Sequence, residues 1–322
     1  MRRAGPVAVR QHLVRVHRRP AVPGQHRSLA AVAGVLLVAS ALAGCAADGP
    51  FAITANGTRE LDAAVAATGS DLKVRVEMFN GPIEVRAGQA GRVAATVTTT
   101  GAGGSKADAE ADRTKIQVSL DVNPDGSVLL RAVYQPRPSS PNNRAASAVV
   151  DVPPGAALDL RTSNGRVDAT GIGGPIEVHT SNGAVDLAGA SAGAMVRTSN
   201  KEVEIDGGGV LDVETSNAAI DLRGTDAVVS ARTSNGSIGF DGTFGDGAQS
   251  METSNEGIFL RLPADASFGL DASTSNASIT LDGFDIHTTG AASDDTLQGT
   301  VGTGGPSITL RTSNKAIVVA AQ

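Results

Sequence analysis

Few side chains here are equipped for bond-making chemistry. Cys45 is the single cysteine in 322 residues, so an intramolecular disulfide is excluded. Two histidines, His179 and His287, follow it, and neither sits in a Gly-x-Ser-x-Gly, phosphate-loop or metal-spaced motif. Carboxylates recur at regular intervals: Asp159, Glu177, Asp212 and Asp271 in one series, Asp168, Asp186, Glu204 and Asp221 in another. Stacked on neighbouring strands they would repel one another and could recruit Ca²⁺; a solvated face balanced by basic residues accounts for them more simply. The strongest recurrence is neutral. Thr-Ser-Asn occurs eight times, starting at Thr162, Thr180, Thr198, Thr215, Thr233, Thr253, Thr274 and Thr312. Hydroxyls and amides at such spacing suit hydrogen bonding rather than acid–base work, and no cofactor is implied.

The elements that must hold these groups follow from the spacing. Successive triplets lie 18, 18, 17, 18, 20, 21 and 38 residues apart. The last interval is about two periods, which predicts a unit near His287-Thr288-Thr289 that has lost its triplet. A degenerate copy stands at Met78-Phe79-Asn80-Gly81. Aligned on Thr, apolar residues lie four and two positions before it and three and five after the Asn. Leu158, Leu160, Val167 and Ala169 show the pattern, as do Leu211, Val213, Ile220 and Leu222. Alternation with period two on both sides of the triplet means two strands per repeat, each with one buried face. Such a unit cannot bury that face alone, so repeats must stack. The predicted fold class is all-β: a parallel β-solenoid with two short strands per ~18-residue coil and about nine coils. It is preceded by an N-terminal part with a β-hairpin at Asp125-Gly126 and one helical turn over residues 106–111.

Stacking sets like over like. Thr162, Asn164, Thr180, Asn182, Thr198, Asn200, Thr215, Asn217, Thr233 and Asn235 are therefore expected to form structural ladders. Each inward Thr would offer a methyl for packing and a hydroxyl to bond the neighbour above. Each Asn would donate to the next Asn at a buried corner, where its tolerance of left-handed backbone is useful. A binding stripe is the alternative reading of the same ladder. Outward positions vary from coil to coil, and function would live there. The residue before each Thr is Arg161, His179, Arg197, Glu214, Arg232, Glu252, Ser273 or Arg311; Arg161, Arg197, Arg232 and Arg311 form the candidate interaction surface.

Charge divides the chain. Residues 1–44 hold seven arginines and no Asp or Glu. The 27 Lys and Arg less these seven leave 20 against 33 acidic residues, near −13 for the rest. That balance argues against nucleic acid as a partner. Arg27 precedes an apolar run from Leu29 to Ala39, the layout of a secretory signal and shorter than a membrane span. The run ends in Leu42-Ala43-Gly44-Cys45, which resembles the lipobox of bacterial lipoproteins. The resemblance implies that Cys45 is acylated, becomes the new amino terminus and holds the protein to the outer face of the cytoplasmic membrane. The expected organisation is a signal peptide over 1–44 and a lipidated cysteine with tether over 45–70. An N-terminal β region with hairpin and Pro/Ser-rich loop follows over 71–147, then the repeat solenoid over 148–322.

The repeats, with Thr162-Ser163-Asn164-Gly165, Thr180-Ser181-Asn182-Gly183 and Thr233-Ser234-Asn235-Gly236 in register behind Val150-Asp151-Val152-Pro153-Pro154-Gly155, resemble the bacterial putative-adhesin family. The resemblance covers roughly residues 71–320 and implies a β-solenoid at the cell envelope. Lys201, Ala218, Glu256, Ala277 and Lys315 depart from the pattern where Gly would follow Asn.

Together these features predict a non-catalytic envelope lipoprotein that presents a solenoid as a binding or scaffold surface, with cell-wall polymer or an envelope protein as partner. An envelope-stress or signalling accessory protein with a protein partner is the alternative. A β-helix polysaccharide-active enzyme is the weaker one, because it needs charged groups converging in a cleft built by long insertions.

Overall fold

Apolar–polar alternation on either side of each triplet yields two strands, and each joins a different sheet. The computed structural model describes residues 53–135 and 143–322. Cys45 and the basic leader lie outside the described residues, as do positions 136–142 of the Pro- and Ser-rich loop.

The first elements are β1 (Ile53–Ala64), β2 (Lys73–Met78), β3 (Ile83–Ala87), β4 (Arg92–Gly103), α1 (Lys106–Arg113), β5 (Ile116–Val122), β6 (Val128–Tyr134) and β7 (Ala145–Val152). The repeats supply β8 (Ala157–Arg161), β9 (Val167–Thr170), β10 (Ile176–His179), β11 (Val185–Ala190), β12 (Ala194–Arg197), β13 (Val203–Gly207) and β14 (Val210–Glu214). The long β15 (Ile220–Arg232) serves both sheets and leads to β16 (Ile238–Phe244), β17 (Ala248–Glu252), β18 (Ile258–Leu262), β19 (Phe268–Ser273) and β20 (Ile279–Asp282). Last come β21 (Ile286–Ala292), β22 (Thr296–Val301), β23 (Ser307–Arg311) and β24 (Ile317–Ala321).

Strands preceding the triplets run parallel in sheet B, and strands following them run parallel in sheet A. The fold is the predicted β-solenoid. Its core is two facing sets of columns, Leu160, Val178, Val196 and Val213 from one sheet, Val185, Val203, Ile220 and Ile238 from the other, all essentially buried. Burying each such side chain contributes about 1.5–3 kcal/mol, so stability grows coil by coil.

The segment from 71 onward is not a separate preamble. β2 and β3 form a full coil that pairs in register with β8 and β9, so the degenerate triplet at Met78 builds the first turn of the solenoid. Part of the expected tether is also folded: β1 pairs with β4 along its whole length. Val93, Ala95 and Val97, at every second position, face the core, and their strand leaves an edge that β1 covers. β5 and β6 form the expected hairpin, with Gly126 at φ +83° in its turn. α1 starts at Ser105, whose side chain accepts the Asp108 amide, and packs Ala109 against Gly101, where an added Cβ would meet helix backbone at 2.3 Å.

The far end corrects the sequence reading. No coil lost its triplet near His287. Residues 286–301 form an antiparallel hairpin, β21 with β22, and β22 lies along β19 as an end cap. The coil that comes last in sequence, β23 and β24, is inserted between two coils that are neighbours in sequence. β23 pairs with β17 on one side and β19 on the other; β24 pairs likewise with β18 and β20. All triplets share one register, so spacing alone does not fix their order in space.

Candidate interaction surface

The triplet places its three side chains in three environments. Each Thr is buried, at 8% exposure or less. Its hydroxyl donates not to the next Thr but to the backbone carbonyl after the preceding Asn: Thr162 to Gly81 at 2.8 Å, Thr253 to Gly236 at 2.8 Å and Thr312 to Glu256 at 2.8 Å. Thr215, after the shortened 17-residue interval, has a buried hydroxyl without such a bond. Each Asn donates to the Asn of the coil below, from Asn164 to Asn80 at 3.0 Å through Asn182, Asn200, Asn217, Asn235 and Asn255. The ladder then passes to Asn314 and ends at Asn276, confirming the inserted coil in the order of its bonds.

Two expectations fail here. The Asn corner is solvent-exposed beyond Asn80, and no ladder Asn has positive φ; among the described residues only Asn143 and Asp226 do so without being Gly. Exposed Ser and Asn share the bend, so left-handed backbone is not needed. Gly after Asn answers to crowding instead: a Cβ on Gly183 would lie 1.7 Å from the Gly165 carbonyl oxygen.

Outward residues of sheet B stand in one column across the coils, Glu77, Arg161, His179, Arg197, Glu214, Arg232, Glu252, Arg311 and Ser273. The four candidate arginines therefore share one face but do not touch as a cationic patch. Arg161 donates to Asp159 at 2.7 Å, Arg197 to Asp212 at 2.6 Å and Arg311 to Asp271 at 2.6 Å, while Arg232 pairs with Glu252. His179 contacts Glu177 at 2.6 Å. Arg311 holds the Asp271 carboxyl below the usual range. Exposed pairs of this kind contribute about 0–1 kcal/mol each. Replacing Arg161, Arg197 and Arg232 together by Gln is expected to shift the melting midpoint by no more than about 5 °C; a much larger drop would make the column a structural element.

The opposite face carries the second acidic series. Asp168, Asp186, Glu204 and Asp221 do stack in register on sheet A. Arg166 bridges Asp168 and Asp186, and Arg223 meets Glu204 at 2.6 Å. Burial, then the Glu204 charge, pushes the Asp221 carboxyl up. Among the described residues no group of three or more His, Cys, Asp or Glu is placed to hold a metal ion.

What the repeats did not foretell is the shape of sheet B. β6, from outside the repeats, extends the sheet beyond β2, and the face from β6 to β14 is hollowed. One depression of about 450 Å³ is lined by Phe79, Arg131, Val133, Arg161, His179 and Arg197. A second of about 700 Å³ lies on the same strands, with Leu129, Arg75, Glu177, Met195 and Val210 along it. Met195 is 43% exposed and Val210 60%. Both are legible in retrospect as apolar residues at outward template positions, and Phe79 as an aromatic where the triplet has Ser. The hollow spans roughly 25 Å at about 4.8 Å per strand, with charged residues of β8 and β10 in its middle and apolar Phe79, Leu129, Met195 and Val210 toward its ends.

A second feature outside the repeats anchors the hollow's wall. Asp112 on α1 is 5% exposed and accepts from Arg144 at 2.6 Å, the Ala102 amide at 3.1 Å, Lys115 at 3.3 Å and the Tyr134 hydroxyl. Burial alone would raise this carboxyl, but those donors outweigh it and hold its pKa well below the ordinary range. Tyr134 ends β6 and packs on Phe79, ring centroids 6.1 Å apart.

Comparison with known proteins agrees with this architecture. The model of the Toastrack family, DUF4097, matches residues 70–319. No curated protein matches the chain. Among solved structures, a putative cell adhesion protein from Clostridium sporogenes is 12% identical, over 82% of this chain and 100% of that one, with a TM-score of 0.28. A putative adhesin from Bacteroides fragilis is 11% identical over 85% and 98%, TM-score 0.32, and one from Parabacteroides distasonis 9% identical over 82% and 97%, TM-score 0.27. Those structural likenesses are too slight to carry weight by themselves. With the family match spanning nearly every coil of the solenoid, the chain belongs to the Toastrack family.

Proposed function

We propose that this protein is a non-catalytic cell-envelope lipoprotein, exported by its leader, anchored through acylated Cys45, and using the hollow face of sheet B to hold an extended envelope ligand. The observation that carries the reading is that hollow: apolar Met195 and Val210 exposed, and Phe79 half-buried, among paired charges on a mostly parallel sheet. Asp159 and Asp212 on this face are engaged in ion pairs with Arg161 and Arg197, and His179 contacts Glu177. That suits binding and, among the described residues of the hollow, leaves no nucleophile and base poised together. Cell-wall polymer is the favoured ligand class, since a long hollow across regularly spaced strands matches a repeating chain. An adhesin-like role is consistent with the names borne by the solved structures above.

Two measurements test this. Cys45→Ala is expected to move the protein from the membrane to the soluble fraction, because two or three acyl chains at about 0.8 kcal/mol per buried methylene make up the anchor; retention in the detergent phase would refute the lipid anchor. The full-length protein in detergent is expected to co-sediment saturably with purified cell-wall sacculi. An absence of binding at both low and high salt would transfer the hollow to a protein partner.

A further inference from the structure

The inserted coil poses a folding problem that sequential coils do not. The coils of β17–β18 and β19–β20 are joined by an ordinary interval, 21 residues between their triplets, yet in space they stand two strand spacings apart, with β23 and β24 between them. As the chain emerges, β19, β20 and the capping hairpin exist before β23 does. Until it arrives, the gap presents two facing parallel edges with unpaired backbone groups, and such edges template any strand of the right pattern. The coil that fills the gap buries Ile308, Leu310, Ile317 and Val319 completely and fixes Arg311 on Asp271. It is reached through Gly302-Thr303-Gly304-Gly305-Pro306, where Gly302 and Gly304 have φ of +60° and +84°, a connection able to redirect the chain.

We propose that the β23–β24 coil exchanges between copies, so that two chains each place it in the other's gap and form a reciprocal dimer. Every contact of the inserted coil is then preserved, made between chains instead of within one. The shared Thr-Ser-Asn register makes the exchanged coil as good a fit as the chain's own, and the Asn255–Asn314–Asn276 bonds form unchanged across the two molecules. The occupant is a second copy of this protein, whose β23–β24 coil carries the ladder residues, the four core side chains that fill the gap, and Arg311, which donates to Asp271.

The test uses two full-length variants. Ser250 and Thr309 face outward at paired positions of β17 and β23. A Ser250→Cys chain and an isotope-labelled Thr309→Cys chain are unfolded together, refolded at high concentration and oxidised. Disulfides are then located by peptide mass spectrometry, which also separates any link through Cys45. A disulfide joining the introduced thiols of positions 250 and 309, one on an unlabelled chain and the other on a labelled chain, is expected. Its share should rise several-fold when residues 303–305 are deleted, since a shortened hinge favours exchange. The Ser250→Cys/Thr309→Cys double variant gives the intrachain reference. If the link forms within that chain but never between mixed chains, exchange is refuted; if it forms in neither, the inserted coil itself is refuted and the proposal with it.

Discussion

Ile220→Asp is expected to abolish the native β signal in circular dichroism at neutral pH, or to lower the melting midpoint by at least about 10 °C. Ile220 is fully buried and sits in register between Val203 and Ile238 in the middle of sheet A. The substitution removes a large apolar side chain, a loss of about 2–5 kcal/mol in a packed core. It also puts a carboxylate among apolar neighbours, adding the cost of an unpaired buried charge. Against a total stability of about 5–15 kcal/mol, the two effects together are decisive. β15 belongs to both sheets, so the damage is not confined to one coil. Val213→Asp on the facing sheet should behave alike. A variant melting with the parent would show that the inward assignment of this column is mistaken.

Asp112→Ala should be the most damaging change outside the repeats, at about 3–5 kcal/mol by analogy with broken buried ion pairs. It removes the buried carboxylate that accepts from the Tyr134 hydroxyl and from Arg144. The sign of its pH dependence follows from the depressed pKa. A carboxyl whose folded pKa lies below its unfolded one contributes stability that is complete above about pH 4–5 and is lost as pH falls toward the folded value. Urea midpoints of the parent should therefore drop steeply between about pH 5 and about pH 2.5, and those of Asp112→Ala less steeply. Equal acid sensitivity in both would show that the cluster is not what acid disrupts.

The solenoid was legible because its rule is local. Alternation around each triplet, visible in residues such as Leu211, Val213, Ile220 and Leu222, dictates two strands and one inward face per strand. The ladder of Asn side chains was legible for the same reason. Spatial order was not: Thr253, Thr274 and Thr312 carry the same register signal, and only the hairpin cap and the connection over 302–306 decide which coil lies beside which. The hollow of sheet B was half legible. Its arginine column repeats with the coils, whereas Leu129, Arg131 and Val133 come from a strand with no triplet. Asp112 escaped notice because its partners Tyr134 and Arg144 lie 22 and 32 residues away with nothing periodic to link them.

The proposed working surface is the outer face of sheet B and not that of sheet A. A photo-crosslinking amino acid placed at Met195, in the hollow, and separately at Val318, on the outer face of sheet A, would test it in living cells. A discrete envelope adduct is expected from position 195 and none from position 318, with both proteins folded and membrane-bound. Adducts from position 318 alone, or equally from both, would contradict it.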